Sequence, residues 1–198
     1  ILFYLNKTSF NRIVFCDNSD ATKDTRLIKL AQKRNKQFEW ISFKGNDKKV
    51  IEKGKGYGEI EIVNYVLNHS CLIKDCNCIV KVTGRLKMLN INWFIHLKKN
   101  NTNYFLKRNN SFVDTRCYCT KISDFKNFFQ NAGEYVDDHH GIYLEHVFYN
   151  ILTQNKIEYK LFPVEPEFVG VSGSLGYAYD SPHYKNVIKS IVAYFKNR

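Results

Sequence analysis

CIVKVTGR, residues 78–85, is the stretch on which the fold turns. Its first six residues are rich in β-branched side chains and read as a strand buried in the middle of a sheet. Just upstream, Ile60, Val63, Val66 and Leu67 recur at helical spacing behind Glu59 and Glu61. Carboxylates suit the first turn of a helix because the helix dipole is positive there. Further back come a polar loop over 44–57, a strand at Phe38–Phe43, an amphipathic helical stretch with Leu27, Ile28, Leu30 and Ala31, and a strand at Arg12–Cys16. The order β, α, β, α, β implies right-handed crossovers. It therefore predicts an α/β fold with a mainly parallel central sheet flanked by helices, and ligands at the strand C-termini.

Downstream the pattern is mixed. It predicts a helix near Asn92–Lys98, strands at Tyr104–Leu106 and Phe112–Tyr118, and a helix over Ser123–Gln130. A helix at Ile142–Thr153, a strand at Tyr159–Phe162, a glycine-rich loop and a helix at His183–Phe195 complete the reading. With 198 residues, 44% of them apolar and only ten glycines, one domain with a continuous core is expected, and disordered or collagen-like classes are excluded. No apolar run reaches the roughly 18–20 residues needed to cross a bilayer, and ILFYLNKTSF at the start lacks a basic n-region and a cleavage site. A cytoplasmic protein is the expectation. Because the chain begins at Ile1 rather than Met, some natural N-terminal sequence is expected to be missing.

The six cysteines include C-x-C pairs at Cys76/Cys78 and Cys117/Cys119, not the C-x2-C of zinc ribbons. On strands such pairs share a face and behave as small apolar side chains, as fits a reducing compartment. Thirty Lys and Arg against nineteen Asp and Glu give a net charge of +11, which favours anionic partners.

Four stretches can carry chemistry. Asp17-Asn18-Ser19-Asp20 follows the first strand, where Asp17 can recognise a base or ribose while Ser19 or Asp20 caps a helix. Gly54-Lys55-Gly56-Tyr57-Gly58-Glu59 opens a helix, and its bare backbone and free N–H groups can receive a phosphate at Lys55 and Gly56. It is neither a nucleotide-hydrolase phosphate loop nor a dinucleotide fingerprint. Lys81, Thr83, Gly84 and Arg85 end the central strand, with the planar fork of Arg85 suited to phosphate oxygens. The loop from Val169 to Tyr177 offers the hydroxyls of Ser172 and Ser174 and the ring of Tyr177 to a sugar or base.

FCDNSD, GKGYGE, IVKVTGRLKMLNI, FVDTRCY, GIYLEHVFYNIL and PEFVGVSGSLGYAY together resemble a small family of bacterial capsule and lipopolysaccharide glycosyltransferases, over about Arg12 to Tyr179. These are similar to the GT-A class. The resemblance implies a nucleotide-sugar-binding half over about 1–88 and an acceptor half over about 89–198. The expected donor is a UDP-sugar, UDP-galactofuranose among the options, and the acceptor is a saccharide or lipid-linked saccharide at the anionic inner face of the membrane. Asp17, Lys55, Gly56, Glu59, Lys81, Thr83, Gly84 and Arg85 would bind the donor. Asp114, Arg116, Ser172, Ser174 and Tyr177 would bind the acceptor or sugar.

The usual GT-A enzyme has Asp-x-Asp at the end of the central strand to hold a metal; here Lys81, Thr83 and Arg85 stand there. Two fixed cations can stabilise a leaving diphosphate directly, so no metal or other cofactor is expected. An inverting transfer needs a general base. Similarity to inverting enzymes points to Glu145, with Asp138 as rival.

Two other classes compete. A metal-dependent hydrolase or nuclease could use His139, His140, Glu145 and His146, but H-H-x4-E-H lacks the H-E-x-x-H register. A basic RNA- or lipid-binding module would explain the charge, yet no aromatic motif for single strands stands out, and nucleic acid is not an expected partner.

Overall fold

A computed structural model describes residues 1–93, 101–109, 111–171 and 178–180. Helix α1 (Leu2–Lys7) precedes β1 (Arg12–Asp17), α2 (Thr25–Lys33) and β2 (Gln37–Ser42). The two strands pair in parallel, Arg12 opposite Gln37 through Asp17 opposite Ser42, with α2 as the crossover. Asp24, rather than Ser19 or Asp20, caps α2 by accepting from the Arg26 N–H. Its buried Leu27 and Ala31 meet Leu5 of α1, with Ile13, Phe38 and Trp40 packed around them.

The polar loop expected over 44–57 instead holds α3 (Asp47–Lys53) and the start of α4 (Lys55–His69). The Asn46 side chain caps α3 by accepting from Lys49 N–H. Gly54, at φ +103°, breaks the two helices apart with a conformation that side chains rarely adopt.

The chain continues through β3 (Cys78–Val82), β4 (Leu86–Met88), β5 (Asn103–Asn109) and β6 (Phe112–Lys121). Next, α5 (Ile122–Asp124) widens into a π-helical turn at Phe125–Phe129, and 3-10 turns follow at Ala132–Tyr135 and Asp138–His140. Helix α6 (Leu144–Gln154), β7 (Tyr159–Leu161), β8 (Phe168–Val171) and β9 (Ala178–Asp180) complete the described elements. The expected helix at Asn92–Lys98 beyond Trp93, the helix at His183–Phe195 and the loop segment 172–177 lie outside the described residues.

The fold is α/β, but the mainly parallel sheet is corrected. Beyond β1–β2, a four-stranded sheet runs β3-β6-β5-β7, and only β5–β7 is parallel. A three-stranded sheet β4-β8-β9 is antiparallel throughout. The reason is local. Only two residues separate β5 from β6, too few for a parallel crossover, so β6 must fold back on β5 as a hairpin. Buried Asn103 fastens this pair: its Oδ1 accepts from Lys121 N–H at 2.9 Å, and its Nδ2 donates to Asp124 Oδ2 at 2.6 Å.

Two apolar clusters share the four-stranded sheet. One gathers Ile60 and Val63 of α4, Phe105, Tyr118 and Phe129 with Val147 and Phe148 of α6. The other joins Met88, Tyr104, Cys117, Cys119, Phe162 and Phe168. Strand β3 alternates between them, Ile79 toward the first and Cys78, Val80 and Val82 toward the second. Lys81 therefore points to the side of α4 and α6. Cys117 and Cys119 are buried as small apolar side chains, whereas Cys76 lies before β3 rather than along it. Among the described residues no helix is long and apolar enough to cross a membrane.

Candidate active site

The site is prepared by an irregularity in β6. Tyr104 faces Cys119 and Leu106 faces Asp114, so five steps on β6 match two on β5. Such a bulge changes which way successive side chains point. Arg116 and Cys117, neighbours in sequence, both lie toward the second cluster, the guanidinium 4.6 Å from the Phe168 ring. Thr115 turns the other way, toward α6.

There a recess of about 120 Å³ lies between the N-termini of α4 and α6. Lys55, Gly56 and Glu59 line it from α4, Thr115 from β6, and Asp138, Leu144 and Glu145 from the opposite wall, with Tyr143 beside them. The helix starts approach closely because position 56 is glycine: a Cβ there would lie 3.0 Å from Leu144 Cβ and from Val136 Cγ1. The sequence-expected Glu145, Asp138, Lys55, Gly56 and Glu59 thus come together.

A continuous hydrogen-bonded chain runs beneath the recess. Lys81 Nζ donates to Glu59 Oε1 at 2.5 Å, to Thr115 O at 2.7 Å and to Thr83 Oγ1 at 3.0 Å. Thr115 Oγ1 then donates to Glu145 Oε1 at 2.9 Å. Burial holds the Glu145 carboxyl above its ordinary pKa, and the carboxylates of Glu59 and Asp114 add to this, while the Thr115 hydroxyl opposes it. A partly buried acid tuned upward in a cleft is a usual form of a proton-transfer group.

Other expectations change. The open α4 N-terminus expected to take a phosphate already receives a carboxylate: Asp138 Oδ2 accepts from Lys55 N–H at 2.7 Å and Gly56 N–H at 3.5 Å. Lys81, expected to grip pyrophosphate, has its three protons directed at three protein oxygens. Gly84 and Arg85 are exposed in the turn after β3, outside this recess. Asp114 and Arg116, expected to bind sugar, bond to each other, Nη2 to Oδ2 at 2.5 Å and Nε to Oδ1 at 2.9 Å. Asp17 turns back on its own loop, its Oδ1 accepting from Ser19 N–H at 2.9 Å. Ser172, Ser174 and Tyr177 lie outside the described residues.

The four groups of the hydrolase alternative do not converge. His139 Nε2 meets Ile51 O, His140 Nδ1 meets Asp137 Oδ2, and His146 Nδ1 accepts from Tyr143 N–H. Among the described residues no set of three or more His, Cys, Asp or Glu is placed to hold a metal. Thr115 is the site residue the sequence reading missed. Alternation sets it opposite Asp114 and Arg116, but that this face meets α6 depends on the irregularity in β6, which has no local mark in the sequence.

Compared with models of known protein families, with curated proteins and with solved structures, the chain matches none of them.

Proposed function

We propose that the chain is an inverting glycosyltransferase of GT-A type, moving a sugar from a nucleotide-sugar donor, a UDP-sugar foremost, to a hydroxyl of a saccharide or lipid-linked acceptor. The observation that carries this reading is Glu145, a half-buried carboxyl of raised pKa held by buried Thr115 in a recess. In the reaction the acceptor oxygen attacks the anomeric carbon and its proton passes to the Glu145 carboxylate. The bond from that carbon to the diphosphate breaks, and the electron pair leaves with the nucleoside diphosphate. Carboxylates of Glu59, Asp138 and Glu145 suit a sugar, whose hydroxyls donate hydrogen bonds. Lys55 is the cationic residue among the described ones that line the recess, and it is assigned to the donor diphosphate. The parallel pair β1–β2 with its α2 crossover supports a Rossmann-like start, with the nucleotide at its C-terminal edge.

The pH profile tests the role of Glu145. A base works only when deprotonated, so kcat/KM should rise with pH through a limb lying above the ordinary glutamate range. Thr115→Val removes a donor to the charged form and should move that limb to higher pH. Glu59→Gln removes a neighbouring negative charge and should move it lower. Shifts of the same sign in both variants, or none, would remove Glu145 from the role.

Metal independence is part of the proposal. Lys55 is the lining cation proposed to meet the diphosphate in place of a metal, while the Lys81 ammonium beneath is committed to the Glu59, Thr83 and Thr115 oxygens. Transfer should continue unchanged in EDTA. Loss of activity restored by Mn2+ or Mg2+ would overturn this part. The charge of +11 supports a cytoplasmic protein drawn to an anionic membrane face where a lipid-linked acceptor resides.

A further inference from the structure

A second and larger recess, about 310 Å³, lies along the outer face of α4. One wall is a polar stripe on that helix, Tyr57, Glu61, Asn64 and Asn68, at positions spaced to share one face. Gly58, Ile60, Val63 and Leu67 are the buried positions of the same helix, and Ile60 also reaches the groove. The other wall is the segment Gln130 to Glu134. Gly133 lets that wall come close, since a Cβ there would meet Tyr57 Cδ2 at 3.1 Å.

Three features define what this groove can hold. First, in a chain with 30 lysines and arginines, none lines it among the described residues. Lys49 and Lys53 reach only its rim, where Glu134 pairs with them at 3.4 and 3.8 Å, and Glu61 inside the groove would repel a phosphate or nucleic acid. Second, the lining is rich in amides. Asn64 is anchored, its Nδ2 donating to Gln130 O at 2.7 Å. Asn68, Gln130 and Asn131 are exposed, each offering both donors and an acceptor. Third, aromatic rings are held in place at one end. Tyr65 is sandwiched between Phe43 and His69, both centroids at 3.9 Å, and exposed His69 ends the stack. Rigid rings beside paired donors and acceptors recognise a ligand with an apolar face and many hydroxyls.

We propose that this groove binds a neutral saccharide, independently of the chemistry in the recess at Glu145. The groove does not use any residue lining that recess, and the inference stands whether or not sugar transfer occurs there.

The test is saturation-transfer NMR and titration of the full chain with methyl glycosides of glucose, galactose and N-acetylglucosamine and their di- and trisaccharides. Uridine monophosphate and an acidic hexapeptide serve as the charged and peptide comparators. Binding with Kd on the order of 1 mM or tighter is expected for a neutral glycan. The double variant Asn68→Ala/Asn131→Ala alters two exposed side chains and should weaken it by about tenfold or more, roughly the loss of one to two hydrogen bonds. Glu145→Gln should leave it unchanged. No neutral-glycan signal with the wild-type chain would overturn the inference, as would a preference for the nucleotide or the peptide. Binding that survives the double variant but falls in Glu145→Gln would place the saccharide in the other recess; that result also overturns the inference while supporting the proposed transferase.

Discussion

Glu145→Gln is expected to lower kcat for sugar transfer on the order of 10²–10⁴-fold, the usual contribution of a positioned general base, while donor affinity stays nearly unchanged. The amide has the shape of the carboxylate, and its oxygen can still accept from Thr115 Oγ1, which now bonds Glu145 at 2.9 Å. What it cannot do is take a proton. Stability separates this from damage to the fold. The raised pKa of Glu145 means that its charged form is disfavoured in the native state. Its contribution to folding is therefore complete below the ordinary glutamate pKa and is lost as pH rises through the higher folded value. Removing the charge should make the variant at least as stable as the wild type at neutral pH, read as the urea midpoint. Asp138→Asn, the rival, should behave differently: its carboxylate holds two N–H groups at the start of α4, so it should lose stability while the surviving activity keeps its pH limb. If Glu145→Gln retained transfer within about tenfold, or Asp138→Asn erased the limb, the base would have to be reassigned.

The first half of the fold was legible because each element repeats one period. Leu27 with Ala31 and Ile60 with Val63 and Leu67 mark buried helix faces, and CIVKV marks a strand. Among the described residues, however, β3 stands half-buried at the edge of its sheet, beside β6, and not in the middle as expected. Strand direction was harder, because it depends on what joins the strands. The sequence between Phe105 and Thr115 contains Asn109, Asn110 and Ser111, residues that favour a turn, and these carried the hairpin that the parallel reading overlooked.

The site divides in the same way. Glu145 and Asp138 could be named from the similarity to inverting enzymes, but an acid near a helix start serves equally as a cap, and Asp138 does so for α4. The placement of Lys81 was also implicit: two residues beyond Ile79 on one strand, it shares the core side, where a lysine needs buried acceptors. Arg85 follows Gly84 in the next turn, so it does not inherit that direction. Thr115 depended on the β6 bulge, for which the sequence offers no local marker.

Lys81→Met should be the most damaging single change to the fold near the recess. The ion pair with Glu59 is largely removed from solvent, with side chains 12% and 24% exposed. The variant leaves Glu59 without its counter-charge and removes the donor from Thr83 Oγ1 and Thr115 O. Breaking one partner of a buried pair typically costs about 3–5 kcal/mol; the residual exposure of Glu59 places this case near about 3 kcal/mol. For a chain of this length that corresponds to a fall in Tm of about 6–12 °C. The compensating double variant decides whether charge or packing is responsible. Lys81→Met with Glu59→Leu removes both charges and should recover most of the loss, because apolar replacement of a buried pair is often neutral. Recovery would assign Lys81 to neutralising Glu59, and a loss that persists would assign it to holding the Thr83 hydroxyl and the Thr115 carbonyl. A single variant as stable as the wild type would show that the ammonium does not organise the recess.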